Sequence, residues 1–257
     1  MIILIFFIAH WYLALFSQSF FDHRYASHRA FTMSKFWERV FYIFAYITQG
    51  SSYLSPRAYA IMHRMHHAYT DTERDPHSPK YYSNVFSMMW HTAKIYSSIF
   101  KGKFPVEKQF LKNLPSWDKF DRFADSFYSK AGWILVYTLF YMFFATSPWL
   151  LLLLPLTILM GPLHGVIINW FAHKYGYVNF TMNNTSRNLM PVDVFMLGEG
   201  YHNDHHQHPS NPNFGSRWFE IDPVYYIILF LSKIGVINLN HNVVKAHAAV
   251  NRDIAAK

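Results

Sequence analysis

A chain of 257 residues with 52% hydrophobic and 20% aromatic side chains has the bias of a membrane protein more than of a soluble enzyme, yet a mean hydropathy of only +0.02 leaves a substantial part facing water. The absence of cysteine excludes disulfides, Cys-ligated zinc, iron–sulfur clusters and thiolate-ligated haem. A net charge of +8 would suit nucleic acid, but the placement of the charges argues for a different partner.

Residues 2–21 carry no Lys, Arg, Asp or Glu, and about 20 apolar residues cross a bilayer core as a helix. No basic leader or small-residue cleavage site marks a signal peptide, so a transmembrane helix is predicted over 2–21, with Asp22 and His23 at its polar end. Residues 36–55 are apolar and aromatic but broken by polar residues and Gly50; they either dip into the membrane or lie along its surface. Residues 68–130 are polar and rich in Lys and Pro, which predicts short interfacial helices. Two further spans are expected at 131–146 and 148–168, the second kinked by Pro155 and Pro162. The stretch 223–237 is short and reads as an interfacial amphipathic helix.

The fold class expected is therefore an all-α integral membrane protein, one domain over 1–257, with a helical cap formed by 22–130 and 169–257. One crossing followed by an even pair puts both cap segments on one side. Residues 1–22 and 131–173 contain no Lys or Arg, so all 23 basic residues fall in the cap. The positive-inside rule makes that side the cytoplasm. Topology and anionic lipid explain the basicity, and nucleic acid is not needed.

Histidine carries the chemistry. His63, His66 and His67 have the spacing H-x-x-H-H, and His202, His205 and His206 repeat it. Positions i, i+3 and i+4 share a helical face, so three rings can point at one centre. His23 and His28 lie five apart, about 140° around a helix, and are expected to bracket a helix end and reach different metals. Asn169 and His173 form an i, i+4 pair. Nine imidazoles and an asparagine exceed the needs of one ion, so two metals are expected.

Imidazole suits iron, zinc, copper and nickel. H-E-x-x-H is absent, which removes zincin chemistry. A His-rich, redox-active pair in a membrane suits iron and O2. The nearest carboxylates, Asp22, Asp71, Glu73, Asp75, Glu199 and Asp204, are expected to accept from imidazole N–H groups. His10 and His164 read as packed core residues, and His77, His91, His241 and His247 as surface or packing residues. His208 reads as a bystander or a donor beside the third box.

Taken together, His23-Arg24-x-x-Ser27-His28-Arg29, then His63-Arg64-x-His66-His67 followed by Asp71 and Asp75-Pro76-His77, then Gly198-Glu199-Gly200-Tyr201-His202-Asn203-x-His205-His206 resemble the membrane fatty-acid desaturases. The likeness runs from about residue 22 to 237 and is closest to the Δ9 type, which includes the stearoyl-CoA desaturases and bacterial acyl-CoA or acyl-lipid desaturases. Arg217-Trp218-Phe219-Glu220-Ile221-Asp222-Pro223 is similar to the bacterial branch, which implies a bacterial inner membrane. The resemblance implies two irons, ferrous when reduced, held by the nine box histidines, with Asn169 reaching one metal through a water. It also implies O2-dependent formation of a cis double bond in an acyl-CoA or acyl-lipid. Electrons would come from a separate ferredoxin or cytochrome b5-like protein, since no haem- or flavin-binding segment is visible here.

An apolar tunnel is expected between the first helix and the pair at 131–168, closed by Phe7 and Trp11. Lys and Arg residues in 94–130 are candidates to meet a CoA phosphate or an acidic donor. The family has two spans before its first box, and this chain has room for one. A hydroxylase on the same scaffold is the enzyme alternative. A His-rich metal transporter would hold its ligands at mid-membrane in broken helices, whereas these stand at the ends of spans.

Overall fold

A computed structural model describes residues 1–239, and His241 and His247 lie outside them. The first helix, α1 (Ile2–Ser17), continues without a break as a π-helix over Gln18–Ser27. Together they make 26 residues, the one helix among those described that is by itself long and apolar enough to cross a membrane. Next come β1 (Phe31–Met33), α2 (Lys35–Gln49) and α3 (Pro56–Tyr69). Ser34 and Ser55 cap α2 and α3, and Pro56 supplies the ready-made φ of a first helical turn. After α4 (Val85–Phe100) and α5 (Asp118–Ala124), the chain forms α6 (Phe127–Phe144), capped by Ser126.

The second hydrophobic block departs from expectation. The segment predicted as a span over 131–146 falls largely within α6, whose 18 residues include Ser129, Lys130, Tyr137, Thr138 and Tyr141. The segment predicted over 148–168 is a 3-10 turn at Pro148–Leu152, then α7 (Leu153–Ile158) and α8 (Met160–Asn169). The two arms are bent by 66° and are apolar enough to cross only as one broken unit. The bend falls at Leu159, between the two prolines that foretold it.

The chain closes with α9 (His202–Gln207), α10 (Pro223–Lys233) and β2 (Ile237–Leu239). β1 and β2 pair antiparallel, Phe31 opposite Leu239 and Met33 opposite Ile237. This small ribbon is the exception to the all-α expectation. It ties the chain after α10 to the loop that follows the first histidines. Beneath it Phe20, Phe21, Tyr25, Tyr42, Tyr53, Val224 and Ile228 form one buried cluster. The π-helix packs on α2 and α3 there, so the first two histidine boxes are fixed relative to each other.

Candidate metal centre

The nine box histidines meet in two groups. His23, His28, His63, His67 and His205 form one, and His66, His173, His202 and His206 form the other. In the larger group the Nε2 atoms run His23–His205 at 2.9 Å, His205–His67 at 2.9 Å, His67–His63 at 3.0 Å and His63–His28 at 2.8 Å. In the smaller they run His173–His202 at 3.0 Å, His202–His206 at 3.0 Å and His206–His66 at 3.2 Å. Histidines from every part of the sequence that carries a box therefore meet in one place.

Two expectations are corrected. The H-x-x-H-H boxes do not each serve one centre: His63 and His67 join the larger group while His66 joins the smaller, and the third box does the reverse with His202 and His206 against His205. Residues four apart stack along the helix. The residue three on, at about 100° per position, stands roughly 100° from its neighbour and faces the other centre. Nor do His23 and His28 reach different groups. The stretch between them is π-helical, with the His28 amide donating to the His23 carbonyl at 3.2 Å, five residues back. Five residues is the hydrogen-bond step of that helix and only slightly more than one turn, so the two rings lie 5.0 Å apart on one face.

The donor set fits metal ions. Burial, reinforced by mutual repulsion, pushes His28, His63, His67, His202, His205 and His206 well below the usual histidine pKa, as burial and the nearby His173 do for His66. They are neutral, and a neutral imidazole is a ligand. Nitrogens placed at right angles about 2.1 Å from a first-row ion lie about 3.0 Å apart, which is the spacing found here.

Carboxylates orient some of the rings. His23 Nδ1 donates to Glu199 Oε2 at 2.6 Å and His66 Nδ1 to Asp75 Oδ1 at 2.9 Å. Each bond leaves Nε2 bare toward its group. Burial raises the Glu199 carboxyl, but His23, Arg24 and Ser19 outweigh it and hold it down at about 2. Asp71 acts at one remove: it accepts from the Thr185 amide at 2.6 Å, and Thr185 Oγ1 lies 3.1 Å from His173 Nδ1.

The other acids do not meet imidazole. Asp22 accepts from Gln49 Nε2 at 2.7 Å, and Glu73 is exposed. Asp204 accepts from Asn179 and Asn188 on the far face of α9, as a residue two after His202 must. There burial, together with the neighbouring Glu220, raises it to about 8.

Several contributors were assigned no role at the site from the sequence. Arg24, fully buried, bonds Glu199 at 3.1 Å and Asp222 at 2.6 Å and stacks over Phe214, whose ring lies 4.3 Å from His205. An arginine beside the first histidine and an aspartate before a proline were its only signals. His77, read as a surface or packing residue, is buried with its ring 4.2 Å from His66. Thr185 had no signal. His91 is exposed, and His10 packs between Phe6 and Tyr137, but among the described residues its buried Nε2 lacks the hydrogen-bond partner expected of a satisfied core residue.

A cavity of about 800 Å³ reaches the larger group, and His23, His63, Glu199 and Asn169 all form part of its wall. The first helix contributes Leu15, Gln18 and Ser19. Phe7 and Trp11 do not line it. Trp11 lies a turn behind Leu15, with its ring edge-on to His164 at 4.5 Å and its Nε1 donating to the Phe195 carbonyl at 3.1 Å. His164 is itself on the cavity wall, with Nδ1 3.2 Å from Gln18 Oε1. α4 supplies Met89, Thr92 and Tyr96, a wall that the sequence did not suggest.

A sequence-family model described as Fatty acid desaturase matches residues 1–231. The chain is 30% identical over 221 residues to Delta-9 acyl-lipid desaturase 1 of Arabidopsis thaliana, a match covering 83% of this chain and 67% of that protein. It is 30% identical over 221 residues to the sn-1 stearoyl-lipid 9-desaturase of a Synechocystis strain, covering 83% and 64%. It is 29% identical over 219 residues to Acyl-CoA 5-desaturase AL21 of Anemone leveillei, again covering 83% and 64%. The chain thus spans about two thirds of the length of these relatives.

Proposed function

The chain belongs to the fatty acid desaturase family, and from that premise we propose that it introduces a cis double bond, at Δ9, into a saturated fatty acyl chain at the expense of O2. The observation that carries this reading is the pair of buried imidazole groups, the larger of which stands at the wall of a mainly apolar cavity. His23, His28, His63, His67 and His205 would hold one iron. His66, His173, His202 and His206 would hold the other, with Asn169 reaching one of the two through a water. Iron, when bound, supplies the one-electron chemistry that couples reduction of O2 to loss of hydrogen from two adjacent methylenes.

The side chains do the rest. Glu199 and Asp75 fix the tautomer and direction of His23 and His66. Arg24 offsets the charge of Glu199 and Asp222 in a place where an unpaired carboxylate would be costly. The apolar walls exclude water and hold the acyl chain against the larger group. No side chain is needed as a nucleophile. O2 takes four electrons to become two waters. Two leave with the hydrogens of the acyl chain and two come from a separate reductant, a ferredoxin or a cytochrome b5-like protein.

In this reading the chain is one integral-membrane domain of a bacterial inner membrane. The first helix crosses, and the histidines and the Lys-rich cap face the cytoplasm, in keeping with the confinement of all 23 basic residues to 23–130 and 174–257. The test is expression in a desaturase-deficient host with gas chromatography–mass spectrometry of total fatty acids. A new cis-monoene that disappears in His202→Ala is expected, and its fragmentation places the double bond. A hydroxy acid in its place, or no new product from protein that carries iron, would overturn the proposal.

A further inference from the structure

The cavity beside the larger histidine group has a rim unlike its floor. Ala93 of α4, Phe127 and Ile134 of α6, Leu159 at the bend and Pro162 of α8 all line it and are all exposed, Phe127 by 78%. An opening framed by apolar side chains on three helices is a poor doorway into water. α6 carries the same character on outward, with Leu135, Val136, Met142 and Phe143 exposed. Such an opening suits hydrocarbon, from which an acyl chain can slide sideways into the cavity.

One end of the rim is charged. Lys101, Asp125 and Lys130 line the cavity there, Lys130 paired with Asp125 and Lys101 exposed. Two cations and one carboxylate leave a single positive charge, the complement of one phosphodiester. A separate open groove runs outward from Lys101 over Trp90, Lys94 and Lys103; a soluble thioester with several phosphates would have to use it.

We propose that the substrate is an acyl chain esterified in a membrane phosphoglyceride, which enters sideways between α4, α6 and α8 with its phosphate held by Lys101 and Lys130. The chemistry rests on the desaturase reading, but the doorway does not, and two measurements on full-length, iron-loaded protein in nanodiscs separate them. The first is photolysis with phosphatidylglycerol bearing a stearoyl chain with a terminal diazirine. Adducts are expected within 15–23 and 158–169. The second is chemical reduction and exposure to air with distearoyl-phosphatidylglycerol or with stearoyl-CoA, followed by analysis of each fraction. A monoene is expected in the phospholipid.

The double variant K101E/K130E should lower both signals by about tenfold or more, the size of one lost charge-assisted hydrogen bond. K94E/K103E should leave both signals unchanged. Adducts only outside the cavity, or a monoene only in the CoA fraction and lost in K94E/K103E, would overturn the proposal. Cavity adducts without any monoene would uphold the doorway and count against the desaturase reading instead.

Discussion

Among the acids, proximity in sequence to a histidine does not decide what each one does. Glu199 and Asp204 stand on either side of His202, yet one bonds His23 and the other turns away. Glu199→Gln should therefore weaken iron binding by about 10–100-fold, the usual cost of losing such a partner, whereas Asp204→Asn should retain the wild-type iron stoichiometry by elemental analysis. The sequence made both visible as carboxylates near a box. Only the turn that precedes α9 separates their directions. A further acid, Asp121, lies away from the histidines, where it accepts from Tyr53 and Ser55. Burial pushes its carboxyl up from 3.8 to about 6 despite those bonds. The folded state thus holds this proton more tightly than the unfolded chain does. The group favours folding below about pH 3.8, and that benefit, roughly 2–3 kcal/mol, is lost as pH rises to about 6. In Asp121→Asn the difference in melting temperature from wild type should change across that window and be flat above it.

The elements show where periodicity is a sufficient guide and where it fails. H-x-x-H-H made α3 and α9 legible as ligand helices, because i, i+3 and i+4 stay together on any α-helix. His23 and His28 were misread because the α-helical angle was applied to a π-helix, which five-residue spacing alone does not announce. The division of each box between two groups was equally hidden, since it depends on what stands opposite. α9 is also a short helix that depends on its entrance. Gly198 sits at φ +90°, where a Cβ would press on the Asp222 carboxylate, and its amide donates to Asp193 at 3.1 Å. Gly198→Ala must strain the backbone and displace Asp222 from Arg24, at a cost of about 1–3 kcal/mol. A lower melting temperature together with reduced iron content would be the signature; full iron content would mean that the turn does not position Glu199.

At the scale of the molecule, the histidines act as a clasp. The two groups draw on the π-helix, α3, the end of the bent α7–α8 unit and α9, elements separated by as many as 182 residues between His23 and His205. The segment 170–222 is otherwise joined to the first half of the chain by side-chain bonds that include Asp71 with Thr185, Ser19 and Arg24 with Glu199, Arg24 with Pro212 and Asp222, and Trp11 with Phe195. Metal bound to the folded chain and not to the unfolded one stabilises by mass action, about 4 kcal/mol when the free ion exceeds its dissociation constant a thousandfold. For a domain of this size that corresponds to a shift of roughly 8–16 °C in melting temperature. Removing iron from detergent-solubilised protein with a chelator should therefore lower the midpoint by about that much, and readdition of Fe2+ should restore it. His202→Ala, which takes one ligand from the smaller group alone, should shrink the chelator effect without abolishing it, because the larger group is intact. Equal melting temperatures with and without chelator would mean that the apolar core and the β1–β2 ribbon hold the two halves together unaided, and that the imidazoles can face one another empty.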